Sequence, residues 1–361
     1  MSSQLLDIGE IGLIKHLTAN ESYTPEILVG VGDDAAVIKP SADKLLLMTT
    51  DMLVENVHFT LSTITPYQLG WKSMAVNMSD IAAMGGVARW AVIGIGMPAN
   101  TPLSFAESLY AGIQDICQKY NTQLVGGDTV SCDRVVINIT LTGEVEPENV
   151  VKRTGAQVGD LIVVTNTIGD SAAGLAAINK RADTEREGDS RQSAVGSQQE
   201  REGTRLAATK HGLDTHAAQI VIKKHLEPIP RLAESRQIVQ LLSPTAMIDI
   251  SDGLSIDLCR LAEASLVGAR IYEDRIPISD EVSGVAGELG RNRLEFALSG
   301  GEDYELLFTI SPQKVMAIDS TGVPLSVIGE ITPFETGRVM VTTERVEKTL
   351  IPRGYEHFSV V

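Results

Sequence analysis

Apolar residues along this chain fall into short runs of strand length, separated by stretches with helical period. Residues 45–49 (LLLMT), 88–96 (ARWAVIGIG) and 134–145 (RVVINITLTGEV) read as strands, the last with partial alternation. Between the first two, Tyr67 to Met84 places Met74, Met78 and Ile81 on one helical face and Ser73, Asn77 and Asp80 on the opposite one. That pattern predicts an amphipathic helix, ended by Gly85-Gly86. A second helix is expected over 102–120, opening after Thr101-Pro102 and burying Phe105, Leu109, Ile113, Ile116 and Tyr120.

Near residue 150 the pattern restarts. RTGAQVGD is turn-rich, LIVVT (161–165) is a strand, and SAAGLAAI (171–178) opens a helix. The expected organisation is therefore two domains, 1–150 and 151–361, as the length of 361 residues also suggests. The segment 181–216 is rich in Arg, Asp, Glu, Ser, Gln and Gly and carries few large apolar side chains, so it reads as a flexible surface insertion. Beyond it come helix 230–242, strand 245–250, helix 253–265, strand 268–273 and strand 304–310. Strands alternating with helices put both halves in a mixed α/β class.

Charge narrows the partners. Forty-seven acidic against 30 basic residues leave a formal charge of −17, which argues against nucleic acid and against an anionic membrane surface. No apolar stretch approaches the ~20 residues that span a bilayer, and the start MSSQLLDIGE has no leader pattern, so a soluble cytoplasmic protein is expected. Cys117, Cys132 and Cys259 form neither a CxxC pair nor a Cys/His cluster, which removes disulfide and zinc frameworks.

The acidic residues are concentrated beside glycines and at strand ends: Gly30 to Asp34, Thr49-Thr50-Asp51, Gly126-Gly127-Asp128, Asp249 to Gly253, and Ser299 to Asp303. The helix adds Asn77 and Asp80. A strand that ends in a carboxylate delivers it to one sheet edge, and a flanking glycine permits a tight turn or a close ligand approach. Any one Gly-Asp pair is equally well a turn in which Asp caps its own backbone. Taken together, carboxylates at several strand ends repel one another unless a cation lies among them. Oxygen-only ligands suit Mg²⁺, usually held together with substrate phosphates, which predicts a nucleotide enzyme. Asp252 is placed to cap the following helix while Asp249 faces the metal. Two GxGxxA matches, at Gly30 and Gly94, lead into proline-broken stretches rather than a long helix and are set aside as dinucleotide sites. Neither GxxxxGK[ST] nor a protein-kinase catalytic loop occurs. Lys15 and Lys72 read as solvated charges.

In order, GVGDDAAV, TTDMLVENVHF, WKSMAVNMSDIAAMGG, GGDTV, RTGAQVGDLIVVT with GDSAAGL, IDISDGLSIDL and LSGGEDYELLF resemble the thiamine-monophosphate kinases. That family lies in the ATP-binding superfamily of aminoimidazole ribonucleotide synthetase, selenophosphate synthetase and a hydrogenase maturation factor. The resemblance runs from about residue 8 to 358, apart from 181–216. It implies a two-domain fold of the aminoimidazole ribonucleotide synthetase type, with the N-terminal sheets of a homodimer forming one barrel. It also implies ATP as co-substrate, several Mg²⁺ ions per site, and thiamine monophosphate as acceptor. Asp33, Asp34, Thr49, Thr50, Asp51, Asp80, Asp128, Asp249 and Asp252 then look like the Mg²⁺ shell. Gly127, Asp128, Arg153 and Ser251 look like ATP contacts, and His58, Glu302 and Tyr355 like contacts to thiamine monophosphate. No general base is expected. The first cysteine, Cys117, comes too late for a selenophosphate synthetase, and the chain ends Phe358-Ser359-Val360-Val361 rather than on the functional cysteine of the hydrogenase factor.

Overall fold

The computed structural model describes residues 4, 12–19, 22–31, 36–194 and 215–355, with 185–194 described by backbone alone. Asp33 and Asp34 lie outside the described residues.

A short antiparallel ribbon, β1 (Ile27–Val29) with β2 (Val37–Ile38), precedes β3 (Leu45–Val54). Helix α1 (Pro66–Ala83), β4 (Val87–Met97), α2 (Leu103–Tyr120), β5 (Gln123–Ser131) and β6 (Val136–Val145) follow. Strands β3 to β6 make a four-stranded sheet in the order β3-β6-β4-β5. Only β4 and β5 are parallel, as their connection through a crossover helix requires. Among the described residues this sheet is open, with β3 and β5 as its edges. Alternation along β3 sends Leu47, Thr49, Asp51 and Leu53 to the side of α1 and leaves Leu46, Met48, Thr50 and Met52 exposed on the outer face.

The second half contains β7 (Leu161–Thr165), α3 (Asp170–Ala194), α4 (His216–Leu226), α5 (Leu232–Leu242), β8 (Ala246–Ile250), α6 (Leu254–Ala264) and β9 (Gly268–Tyr272). It continues with α7 (Asp280–Leu289), α8 (Arg293–Ser299), β10 (Glu305–Ile310), β11 (Leu325–Thr332), β12 (Arg338–Val341) and β13 (Glu347–Thr349). The strands form one seven-stranded mixed sheet, β13-β12-β9-β11-β7-β10-β8. Helix α3 runs past residue 181 to Ala194, so the first part of the stretch read as an insertion continues a helix; 195–214 lie outside the described residues.

Helix α1 differs from its expected amphipathic role. A Thr65–Gln68 capping box starts it, and it is buried on nearly every side. Met74, Met78 and Ile81 join a hydrophobic cluster that also takes Ile139 and Leu141 from the four-stranded sheet and Leu306 and Phe308 from β10. Ser73, Asn77, Ser79 and Asp80 face protein rather than bulk water. Side-chain bonds fasten α1 to the second half: Trp71 Nε1 donates to Pro228 O (2.8 Å) and Ser235 Oγ donates to Ala82 O (2.6 Å). No helix among the described residues is long and apolar enough to cross a membrane.

Candidate active site

Helix α1 forms one wall of a cavity of about 1170 Å³ that also takes the end of β3, the loop after it, the turn after β8, the N-terminal half of α3, and the turn before β10. Lys72, Val76 and Asp80 all line it. At spacings of four residues they share one stripe of the helix, and the 1.5 Å rise per residue sets Lys72 ~12 Å from Asp80.

The Asp80 end is acidic. Asp51, Asp80, Asp249 and Asp252 line the cavity together. Backbone and side-chain bonds fix each from a different element. Asn77 Oδ1 accepts the Asp51 amide (3.0 Å), occupying a donor that edge strand β3 leaves free. Thr49 Oγ1 donates to Asp80, and Ser79 Oγ donates to Asp249 Oδ2 (2.7 Å). Burial, then the charges of Asp80 and Asp252, push the Asp51 carboxyl up to about 6. Burial, with Asp80 alongside, raises Asp249 further above the usual carboxylate range, while Ser79 and the charge of Arg153 pull the other way. Burial also raises Asp80, against the Thr49 hydroxyl and Arg153. Carboxylates held this way are short of positive charge.

The donor set fits hard-cation chemistry: all-oxygen, carboxylate-rich and beside a roomy cavity. Among the described residues, no three His, Cys, Asp or Glu side chains converge on a single point. Mg²⁺ is compatible with that arrangement, because it usually takes one or two carboxylates and completes its shell with phosphate oxygens and water.

Asp252 departs from expectation. The N-cap of α6 is Gly253, at φ 128°, and no side chain caps it. Asp257 does that work instead: its Oδ2 accepts the amides of Asp252 (3.0 Å) and Gly253 (3.1 Å), and its Oδ1 accepts from Arg260 (2.8 Å). The Asp252 carboxylate pairs with the same Arg260 nitrogen, Nη1, so one guanidinium group ties the two aspartates together. The sequence pattern alone does not point to Asp257 or Ser79. Asp257 lies one helical turn into IDISDGLSIDL, where a buried carboxylate marks a loop clamp.

The remaining expected residues divide into those that line the cavity and those that do not. Ser251, His58, Glu302 and Tyr355 do. Ser251 O accepts the Glu302 amide (2.7 Å) and Asp252 O accepts the Tyr355 amide (3.2 Å), so three cavity segments are joined through backbone. His58 Nδ1 accepts the Val54 amide (3.0 Å), which leaves Nε2 as the protonated nitrogen. Gly127, Asp128 and Arg153 do not line the cavity, although the Arg153 charge reaches Asp80 and Asp249. Thr50 contributes to the lining, yet its hydroxyl points to the outer face and bonds Ile139 O (3.1 Å).

Asp128 shares that outer face. The row Met52, Asn138, Gly94, Asp128 runs straight across the sheet, and three strand spacings set Asp128 ~14 Å from the β3 edge. GGDTV is not a turn, as the Gly-Asp pattern suggests, but the middle of β5. A Cβ on Gly127 would lie 2.2 Å from Ile93 O, so only glycine fits there. The ribbon β1–β2 packs its Ile27 against Trp90 and Val125 of the sheet. The expected metal shell is thus split: Asp51, Asp80, Asp249 and Asp252 come together, whereas Asp128 and Thr50 belong to the outer face.

Lys72 is a correction. Far from being solvated, it is 1% exposed, and its Nζ lies 2.8 Å from Glu302 Oε1. Lys15, by contrast, is exposed.

Family comparisons agree with this architecture. The model for AIR synthase related protein, N-terminal domain, matches residues 32–145, and that for the C-terminal domain matches residues 157–342. The thiamine-monophosphate kinase of Aquifex aeolicus is 35% identical over 98% of this chain and 100% of its own length. That of Bacillus subtilis is 31% identical over 97% and 100%. Among solved structures, AaThiL complexed with AMPPCP and TMP superposes with a TM-score of 0.71 at 32% identity, covering 99% of this chain and 100% of that one.

Proposed function

Because the chain belongs to the thiamine-monophosphate kinase family, we propose that it transfers the γ-phosphoryl group of ATP to the phosphate of thiamine monophosphate, giving thiamine diphosphate and ADP, the last step in making that cofactor. The observation that carries this reading is the polarity of the cavity. Four carboxylates gather at one end of the α1 stripe, and a mixed apolar and polar chamber with Glu302, His58 and Phe59 lies toward the other. A phosphate ester of a heterocycle has that same division.

Asp51, Asp80, Asp249 and Asp252 would hold Mg²⁺. The bound cation supplies charge neutralisation between two anionic substrates and fixes their phosphates relative to each other. A phosphomonoester with a second pKa near ~6 is largely dianionic at neutral pH, so its oxygen attacks without a general base. The protein's part is positional. Thr49, Ser79 and Asn77 hold the acidic end in place, and the Ser251–Gly253 turn, clamped by Asp257, delivers Asp252. Arg153 and Ser251 serve the triphosphate, and Tyr355 closes over the acceptor ring.

Asp128 and Thr50 enter the account through a second copy. The outer face of the four-stranded sheet exposes Met48 (75%), Met52 (52%), Val92 (38%) and Val130 (53%) beside those two residues. An open sheet with an apolar outer face is the surface on which a homodimer would complete a barrel, bringing Gly127 and Asp128 to the nucleotide. Residues 1–150 and 151–361 are taken as the two domains of each cytoplasmic subunit.

The test is an acceptor panel. The purified chain with ATP and Mg²⁺ is offered thiamine monophosphate, thiamine, and no acceptor, and the thiamine esters are separated. Thiamine diphosphate from the monophosphate alone is expected. Phosphate release without acceptor would make the chain a hydrolase, and ATP binding without any product a silent homologue; either overturns the proposal.

A further inference from the structure

The cavity end opposite the acidic cluster is built around one carboxylate, and its supports, Lys72, Ser171 and His225, line the cavity beside it while staying almost fully buried. Glu302 sits at φ 68°, in a left-handed conformation unusual for a non-glycine residue, fixed by the bond from its amide to Ser251 O. Its side chain is 28% exposed and faces the cavity, whereas the Lys72 side chain, 2.8 Å away, is 2% exposed. On the other oxygen, His225 Nδ1 lies 3.5 Å from Glu302 Oε2 and 2.9 Å from Ser171 Oγ. His225 is itself buried; burial and the neighbouring Lys72 charge push it down to about 4, so it stands neutral at pH 7. The tautomer with hydrogen on Nδ1 is the one that tolerates a carboxylate at that distance. Burial alone would raise the Glu302 carboxyl, but the charge and hydrogen bond of Lys72 hold it below the ordinary range.

These supports come from three elements, Lys72 from α1, Ser171 from α3 and His225 from α4, in both halves of the molecule. A lysine ammonium this deeply buried is costly unless it is paired, and Glu302 is the carboxylate that pairs with it. The effect of the pairing is to keep Glu302 ionised and oriented. The spare lone pairs of the carboxylate face the cavity as acceptors for N–H donors.

We propose that Lys72 and His225 are positioning residues which fix the Glu302 carboxylate so that this end of the cavity selects an acceptor bearing an amino-substituted heterocycle. The inference rests on the functional reading above and deepens it. Lys72 and Asp80 are ~12 Å apart on one helix stripe, so the acceptor phosphate at the metal end and an amino group near Glu302 span the cavity together. With 2% of its side chain exposed and its Nζ on Glu302 Oε1, Lys72 acts through Glu302.

The experiment compares wild type, Lys72→Met, Glu302→Gln and the double variant, measuring kcat and KM for thiamine monophosphate and for the thiazole ethyl phosphate that lacks the aminopyrimidine ring. Lys72→Met is expected to raise KM for thiamine monophosphate about tenfold to hundredfold, as loss of a charge-assisted bond implies, with KM for ATP nearly unchanged. The truncated phosphate should respond equally poorly in wild type and variants. The double variant removes both charges, so it keeps the site foldable even if Lys72→Met alone does not fold. It is expected to match Glu302→Gln within about twofold, because removing the support of an absent carboxylate costs nothing more. An additive further loss in the double variant, an unchanged KM in a folded Lys72→Met, or an equal loss on the truncated phosphate overturns the inference and leaves the functional reading standing. A wild type that makes no thiamine diphosphate overturns the functional reading, and the inference falls with it.

Discussion

At the scale of single residues, the site depends on groups whose neighbours set their charge. Asp80 and Asp249 are buried carboxylates raised by burial and held by hydroxyls from Thr49 and Ser79. Asp80→Asn and Asp249→Asn should each lower kcat by about 100-fold or more, because an amide is a poor ligand for Mg²⁺. They should not lower the melting temperature of the metal-free protein, since each replaces a carboxyl whose ionisation burial opposes; a thermal melt beside the assay checks both halves. Asp257 makes the opposite case. It touches no substrate, yet it accepts two backbone amides and an arginine from a fully buried position. Asp257→Ala should cost roughly 2–4 kcal/mol of stability, measured by denaturant unfolding. Residue roles were only partly legible in the sequence. The clustered aspartates were, because Gly-Asp at strand ends is a local signal. Lys72 and Asp257 were not: whether a lysine or aspartate is solvated depends on what another element places opposite it. The one trace available beforehand was that Lys72 shares a helix stripe with Val76 and Asp80.

At the scale of elements, each strand and helix that the apolar pattern predicts is present, since periodicity of two or 3.6 is a local property, whereas α7, α8 and β11 to β13 carry no such signal and were not predicted. Strand β5 was missed because its glycines suggest a turn, whereas they are there to let β5 lie against β4. The amphipathic character expected of α1 was real, but its polar face serves a site instead of water, a distinction made only by the second domain. Packing of α1 on α2 has its own requirement. A Cβ on Gly70 would lie 1.9 Å from Leu109 O, and one on Gly112 would lie 2.0 Å from Tyr67 O. Both glycines let the two helix backbones touch. Gly70→Ala or Gly112→Ala should therefore destabilise by about 1–3 kcal/mol, the range for overpacking, and should shift the whole Lys72–Asp80 stripe. Melting curves check the first expectation, and a lowered kcat with retained ATP binding checks the second.

At the scale of the molecule, the formal charge of −17 includes a local concentration that resists deprotonation without a cation. The Asp51 carboxyl rises from 3.8 to about 6 on folding. For an acid whose folded value is raised, the contribution to stability is complete below the unfolded value and lost as pH rises through the folded one. Metal-free protein should thus lose this contribution between about pH 4 and pH 6, and Asp249, raised further by burial, extends the loss upward. Mg²⁺ should raise the melting temperature by roughly 5 °C at pH 8 and by much less at pH 5, and Asp51→Asn should narrow that difference. Scanning calorimetry with and without EDTA reads it directly. The outer sheet face predicts a dimer, and Met48→Glu with Met52→Glu should give a monomer by light scattering, with activity reduced because Asp128 lies on that same face. All of this serves one claim, direct transfer between two phosphates. Phosphorus NMR of the protein with ATP, Mg²⁺ and thiamine monophosphate follows it in one tube. The expected result is loss of the ATP γ-signal matched by equal growth of thiamine diphosphate and ADP, with no inorganic phosphate and no change when the acceptor is left out. Inorganic phosphate appearing in place of thiamine diphosphate, or a spectrum that never changes, would contradict it.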